Sequence, residues 1–243
     1  MTARESVRAT GHGAPGATAA ADQWYSRVMK TTHFVPLVVG VLWLTACGAP
    51  APTPPAAGPG EEVGALEARD AFLDAIRQHC GGAYAGRIVA NEPAEPDDPF
   101  VGKTLVMHVR ECAEGEIRIP FHVGDDRSRT WVVTRTAEGL RLKHDHRHED
   151  GSDDATSWYG GDTVNAGSEQ RQEFPVDAFS TEMFEREGWL ASTSNVWAVE
   201  IEPGRRFLYE LSRPGGRLFQ VEFDLAVPVE VPPAPWGSEG EAG

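Results

Sequence analysis

Three histidines alternate in the middle of the chain, at His144, His146 and His148. On an extended strand, residues two apart point to the same face, so the three rings would stand in a row. Neutral imidazoles so spaced can share one Zn²⁺ or Cu²⁺ ion if a neighbouring strand supplies a further ligand. His122 and His108 are the candidates for that ligand. The same row can also serve with no ion, as a polar rim that titrates near neutral pH. The carboxylates that follow, Glu149, Asp150, Asp153 and Asp154, are of the type Ca²⁺ prefers, but their spacing does not match an EF-hand loop and they read as a solvated turn. The run Asp125 to Arg129 reads as an ordinary hairpin turn near His122.

The chemistry of nucleophiles and nucleotides finds no foothold. The sequence has no G-x-S-x-G, H-E-x-x-H, Walker loop, G-x-G-x-x-G or C-x-x-C. His148-Glu149 opens like a zinc-protease motif but lacks its second histidine. A set of aromatics remains: Trp131, Trp158, Trp189 and Trp197, with Phe121, Phe207, Tyr209, Phe219 and Phe223. Such residues fill a core or line a cavity for a small apolar ligand.

Period-two patterning has to position all of these. Leu105, Met107 and Val109 alternate with polar residues, as do Ile117, Ile119, Phe121 and Val123. The series continues through 129–136, 140–148, 195–201, 206–212 and 217–225, with hairpin turns at Gly124-Asp125-Asp126, Glu138-Gly139, Pro203-Gly204 and Pro214-Gly215-Gly216. In the strand 140–148 the histidines extend the face of Leu140 and Leu142. A one-residue slip would bury Arg141, Lys143, Asp145 and Arg147 instead, so the register is decided. Apolar spacing of three and four predicts one helix over Leu66–His79, stopped by Gly81-Gly82, and a short helix over Val176–Glu187. The expected fold is mainly β: an antiparallel up-and-down barrel or curled sheet with one N-terminal helix, since closure removes exposed edges. A β-sandwich is the alternative. The layout is similar to that of the lipocalin-like superfamily.

The N-terminal region has its own pattern. Lys30 precedes an apolar run from Phe34 to Ala46, shorter than the roughly 20 residues that span a bilayer. The run ends Leu44-Thr45-Ala46-Cys47, which resembles the lipobox of bacterial lipoproteins. The resemblance implies cleavage before Cys47 and a diacylglyceryl group on its thiol. With Gly48 rather than Asp after the cysteine, it also implies anchoring at the outer membrane, facing the periplasm. Cys80 and Cys112 then remain in an oxidising compartment, where two thiols pair. The expected organisation is an N-terminal extension over 1–28, with the true start at Met29, then a signal peptide over 29–46 and a Pro/Ala/Gly-rich tether over 47–63. A single domain over 64–226 and a disordered tail over 227–243 complete it. Residues 102–161 resemble an uncharacterised group of proteobacterial secreted proteins, to which no activity attaches.

The chain carries 37 acidic and 22 basic side chains, a net charge of −15. Removing the leader makes it more acidic, because Arg4, Arg8, Arg27 and Lys30 go with it against Glu5 and Asp22. That balance argues against nucleic acid as a partner. The function expected is that of an envelope-anchored, non-catalytic β domain that binds a small apolar ligand or an envelope protein. A periplasmic Zn or Cu protein using the histidine strand is the alternative, and a hydrolase without a recognisable motif is the second alternative.

Overall fold

The computed structural model describes residues 59–94, 98–238 and 240; Cys47, the expected signal peptide and most of the expected tether lie outside the described residues. Helix α1 (Pro59–Arg77) comes first. It begins inside the stretch expected to be tether and ends two residues before the predicted His79. Eleven strands follow: β1 (Ala83–Glu92), β2 (Leu105–His108), β3 (Glu111–Cys112), β4 (Glu116–Val123), β5 (Asp126–Arg135), β6 (Leu140–His146), β7 (Tyr159–Asp162), β8 (Arg171–Pro175), β9 (Val196–Glu202), β10 (Arg206–Arg213) and β11 (Arg217–Val229). Helix α2 (Ala178–Arg186) lies between β8 and β9.

All strands belong to one antiparallel sheet, ordered β7-β6-β5-β4-β2-β1-β11-β10-β9-β8, with β3 paired to β4. A single sheet that curls nearly into a barrel excludes the two-sheet sandwich. The first and last strands, β1 and β11, are hydrogen-bonded partners, so the gap falls between β7 and β8, which are neighbours in sequence. Gly161 and Val176 bridge that seam. Gly161 lets the backbones meet there, since a Cβ on it would lie 1.8 Å from the Pro175 carbonyl oxygen; on its neighbour Gly160 a Cβ would lie 1.9 Å from that of Leu142 on β6. Ser180 of α2 completes the join. Its hydroxyl donates to the Gly160 carbonyl (3.1 Å) and accepts from the Gly160 N–H (2.8 Å).

Alternation along the strands divides inside from outside. Ile117, Ile119, Phe121, Trp131, Val133, Leu140, Leu142, Phe207, Tyr209, Val221 and Phe223 form one buried cluster with Phe72 and Ile76 of α1. Outward positions on β8 to β11 carry charge instead. Arg171 pairs with Glu173, Glu200 and Glu210, and Arg206 pairs with Glu200, Glu202 and Glu222.

Helix α1 lies across one end of the barrel. Arg69 donates to the carbonyls of Glu138 (2.8 Å) and Asn165 (2.7 Å), and Arg77 to that of Glu114 (2.9 Å), all in turns at that end. The Cys80–Cys112 disulfide is present, with Cα atoms 6.3 Å apart, and ties the residues just after α1 to β3.

Three expectations need correction. Residues 227–238 are not a disordered tail: β11 continues to Val229, and the chain then crosses the outer face beside β2 and β5. There the Trp236 N–H donates to the Arg127 carbonyl (3.2 Å), Arg127 donates to the Ala234 carbonyl (2.8 Å), Arg110 reaches Ser238, and Trp236 itself is buried. This backbone bond and the two side chain to backbone bonds carry no periodicity for a sequence to display. Next, β6 ends at His146, so His148 lies beyond the strand. Last, β1, β3, β7 and β8 were not foreseen. In β1 two bulges interrupt the alternation, and β7 is built around Gly160-Gly161.

Candidate functional site

The end of the barrel opposite α1 is where β5, β7 and β11 start and where β6 and β10 finish. It holds a cavity of about 50 Å³. Its walls are aromatic: Phe121, Trp131, Tyr159, Tyr209 and Phe219, with Phe100 leaning in from the β1–β2 loop. Trp131 stacks on Tyr209 (4.4 Å between centroids) and on Phe121 (4.8 Å), and Phe100 sits 5.0 Å from Phe219. These contacts fix the walls at no cost in rotamer freedom beyond that of the core itself. Trp197 stands behind the wall, 5.2 Å from His144, whereas Trp158 lies beside Arg118 and Trp189 packs on Phe184 of α2. Only part of the aromatic set therefore faces the cavity.

His144 and His146 also line it, on the interior face of β6 as their spacing requires. His144 is buried, and both its ring nitrogens are engaged. Nδ1–H donates to the Tyr159 carbonyl (3.2 Å), which leaves Nε2 to accept from the Tyr209 hydroxyl (2.8 Å). Burial lowers its pKa to about 3, against the partial support of the Tyr159 carbonyl. His146 Nε2 meets the Tyr159 hydroxyl at 3.2 Å; burial and then the Arg129 guanidinium hold its pKa well below the ordinary histidine value. Both rings are neutral hydrogen-bonding groups at pH 7.

The proposed metal ligands are not brought together. His148 stands outside the strand, its Nε2 3.8 Å from an Asp154 oxygen. His122 alternates with Phe121 and Val123, which point inward, and so faces the outside of the barrel. Its neighbours there are His108 and Arg127. Burial first, then the charges of those two, lower its pKa to about 4. Among the described residues no three His, Cys, Asp or Glu side chains are arranged to hold a metal ion. The carboxylates after His148 are occupied locally: Asp153 pairs with Arg147 (3.0 Å), Asp150 holds Ser152, and Asp154 accepts from the Thr156 N–H (2.7 Å).

The lining also includes three arginines that the sequence does not place in a cavity: Arg129, Arg213 and Arg217. Each stands on the interior parity of its strand, two residues from Trp131, Leu211 and Phe219 respectively. Continuing the alternation by one step would have found them. Charge made them look like outward or turn residues. Arg129 pairs with Asp126 (2.5 Å) and lies over the Phe100 ring (5.5 Å). Arg217 donates to Asn91 Oδ1 (2.7 Å) and lies 5.5 Å over Phe219.

Fold and site together define a small antiparallel β-barrel, plugged by a helix at one end and carrying an aromatic, arginine-rimmed cavity at the other. No protein-family model, curated protein or solved structure matches the chain. Among the described residues, no helix is long and apolar enough to cross a membrane.

Proposed function

We propose that the chain is an envelope lipoprotein, lipidated at Cys47 and held at the outer membrane facing the periplasm, whose barrel binds a small, mostly apolar ligand without transforming it. The binding half rests on one observation: the barrel interior is sealed at the α1 end and hollow at the other, where the hollow is walled by aromatic rings. Concave apolar space with a few converging polar groups is the usual form of a small-molecule site. A binding role also suits the chemistry of the wall. The His144 ring is tied to a tyrosine hydroxyl and a carbonyl rather than to a serine or thiol. The anchoring half rests on Leu44-Thr45-Ala46-Cys47.

Titration with 1-hexanol, followed by tryptophan emission, tests the binding half. Saturable quenching or a blue shift is expected because Trp131 lines the cavity. Leu211→Phe fills the same space and should abolish the response while the thermal melt remains cooperative. A linear, unsaturable response, or one that Leu211→Phe leaves intact, overturns the reading. For the anchor, Cys47→Ala should leave unprocessed precursor that no longer partitions into detergent; normal processing of that variant would sink it.

A further inference from the structure

We propose that the C-terminal strap, residues 230–238, is an acid-released latch: it closes over the neutral His122 ring and lifts away when that ring takes a proton. The proposal concerns the outer face of the barrel and does not rest on the reading of the cavity.

The first support is burial where water is expected. His122 on β4 and His108 on β2 point away from the core, yet they are only 4% and 9% exposed. The strap supplies the cover. Val231, Pro232 and Ala234 wall one hollow together with His108 and Arg110. Farther along, Arg127 donates to the Ala234 carbonyl, the Trp236 N–H donates to the Arg127 carbonyl, and Pro235 and Trp236 are buried. His122 stands between these two footholds, with His108 to one side and Arg127 to the other.

The second support is how the strap is held. β11 ends at Val229, and residues 230–238 join no ladder. Pro232, Pro233 and Pro235 have no N–H with which to extend one. A backbone bond at Trp236 and the side chains of Arg110 and Arg127 hold the segment in place. Such a segment leaves without breaking the sheet.

The third support is the chemistry beneath it. His122 Nε2 is buried with no hydrogen-bond partner among the described residues. A neutral ring tolerates that, but a buried cation needs a partner or water. His108, itself beside Arg110, and Arg127 oppose a positive charge there. Asp126 favours one, but Arg129 and Ser128 already engage its carboxylate. The strap brings no acid between Val231 and Ser238, and Glu230 before it is exposed. Under the strap, burial first and then these charges hold the His122 pKa at about 4, against about 6.5 for a histidine in water. The released form therefore takes the proton first. The closed form is favoured in full above pH 6.5 and loses ground as pH falls towards 4. From pH 7 to 5 the ratio of released to closed should rise about twentyfold from this ring alone. His108, shifted in the same direction, adds to it.

Fluorine NMR of the full chain carrying 5-fluorotryptophan tests the proposal. The Trp236 resonance is identified by its loss in Trp236→Phe. As pH falls from 7.5 to 4.5 it should pass to the position of a solvent-exposed ring while those of Trp131 and Trp197 stay in place. The ratio of released to closed should rise at least about tenfold between pH 7 and 5. His122→Gln keeps a neutral polar group under the strap and should cut that rise to about threefold or less. His148→Gln, which removes a histidine beyond the end of β6, should leave it unchanged. If His122→Gln does not fold, nitrogen NMR of the histidine rings in the unaltered chain replaces it: His122 should take its proton over the pH range in which Trp236 is released. A Trp236 resonance that stays in its buried position at pH 4.5 overturns the proposal. So does movement of all the buried tryptophans together, release from His122→Gln equal to that of the unaltered chain, or protonation of His122 with the strap still closed.

Discussion

Followed from one end of the barrel to the other, the interior positions of four strands change character. At the α1 end they are Val133 on β5, Leu140 on β6, Phe207 on β10 and Leu225 on β11, all buried. At the mouth the same strands present Arg129, His146, Arg213 and Arg217. The alternation is continuous, so the backbone treats both ends alike. What differs is the cover. Over the first end α1 lays Phe72 and Ile76, both fully buried, and the disulfide fixes the chain that follows it. Over the second there is Phe100 on a loop and, among the described residues, no helix. One end is finished by apolar burial, which stabilises; the other is finished by polar side chains that a ligand can meet. Stability and recognition are thereby divided between the two ends.

That division can be broken experimentally. The largest effect is expected from Phe72→Ala, which opens a hole beneath the plug and should cost about 3–5 kcal/mol in urea unfolding. 1-Hexanol affinity, measured where the variant is still folded, should stay within about twofold. A variant that lost affinity and stability in proportion would show that the ends are coupled. Replacing Cys80 and Cys112 together by Ser should cost about 3–4 kcal/mol on the chain-entropy account, and again spare binding.

Acid should weaken the fold, and His144 at the mouth is one of the groups responsible. His144 has a folded pKa of about 3 against an ordinary 6.5, because burial disfavours its charged form. The unfolded chain therefore takes up the proton first. The stability this neutral ring contributes is full above pH 6.5 and is lost progressively as pH falls from 6.5 towards 3. Between pH 6.5 and 5 the loss from this ring is about 1.5 kcal/mol, with His146 acting in the same direction. Urea midpoints at the two pH values should show it, and His144→Phe should reduce the dependence, leaving the share of His146 and His122. The smallest effect belongs to Tyr209→Phe, which removes the hydroxyl that His144 Nε2 accepts from; about 1 kcal/mol is expected. That variant should also shift 1-hexanol binding slightly, whereas Phe72→Ala should not.

How much of this could be read from residue order varies with the physics that sets each part. Strands β4, β5, β6 and β9 to β11 were legible because one face meets the core and the other meets water. β1 was not, because Gly86 sits beneath Phe223, whose ring a Cβ there would meet at 2.5 Å, and bulges shift its register. The position of His144 and His146 on an interior face at the mouth followed from Leu140 and Leu142. His148 did not join them, because the pattern continued past the last ladder bond of β6. The arginines were misread for the converse reason: alternation placed them inside, but charge outweighed it. Helix α1 was recognised from its apolar spacing, although nothing in that spacing showed that it would seal a barrel.

The seam between β7 and β8 gives the barrel the mechanics of a split ring. Ten strands in unbroken hydrogen-bonded succession resist stretching around the circumference, so any change of girth concentrates at the gap. There the clasp consists of the Gly161–Val176 bridge and the hold of Ser180 on Gly160. Tyr159 heads the strand on one lip of that gap, stacks on His144 at 4.5 Å between centroids and forms part of the cavity wall. Loosening the clasp would draw that tyrosine outward and widen the hollow while the other ladders stay whole. The bore of this barrel is thus set by a buckle of two glycines and a serine, and its gauge is read at Tyr159.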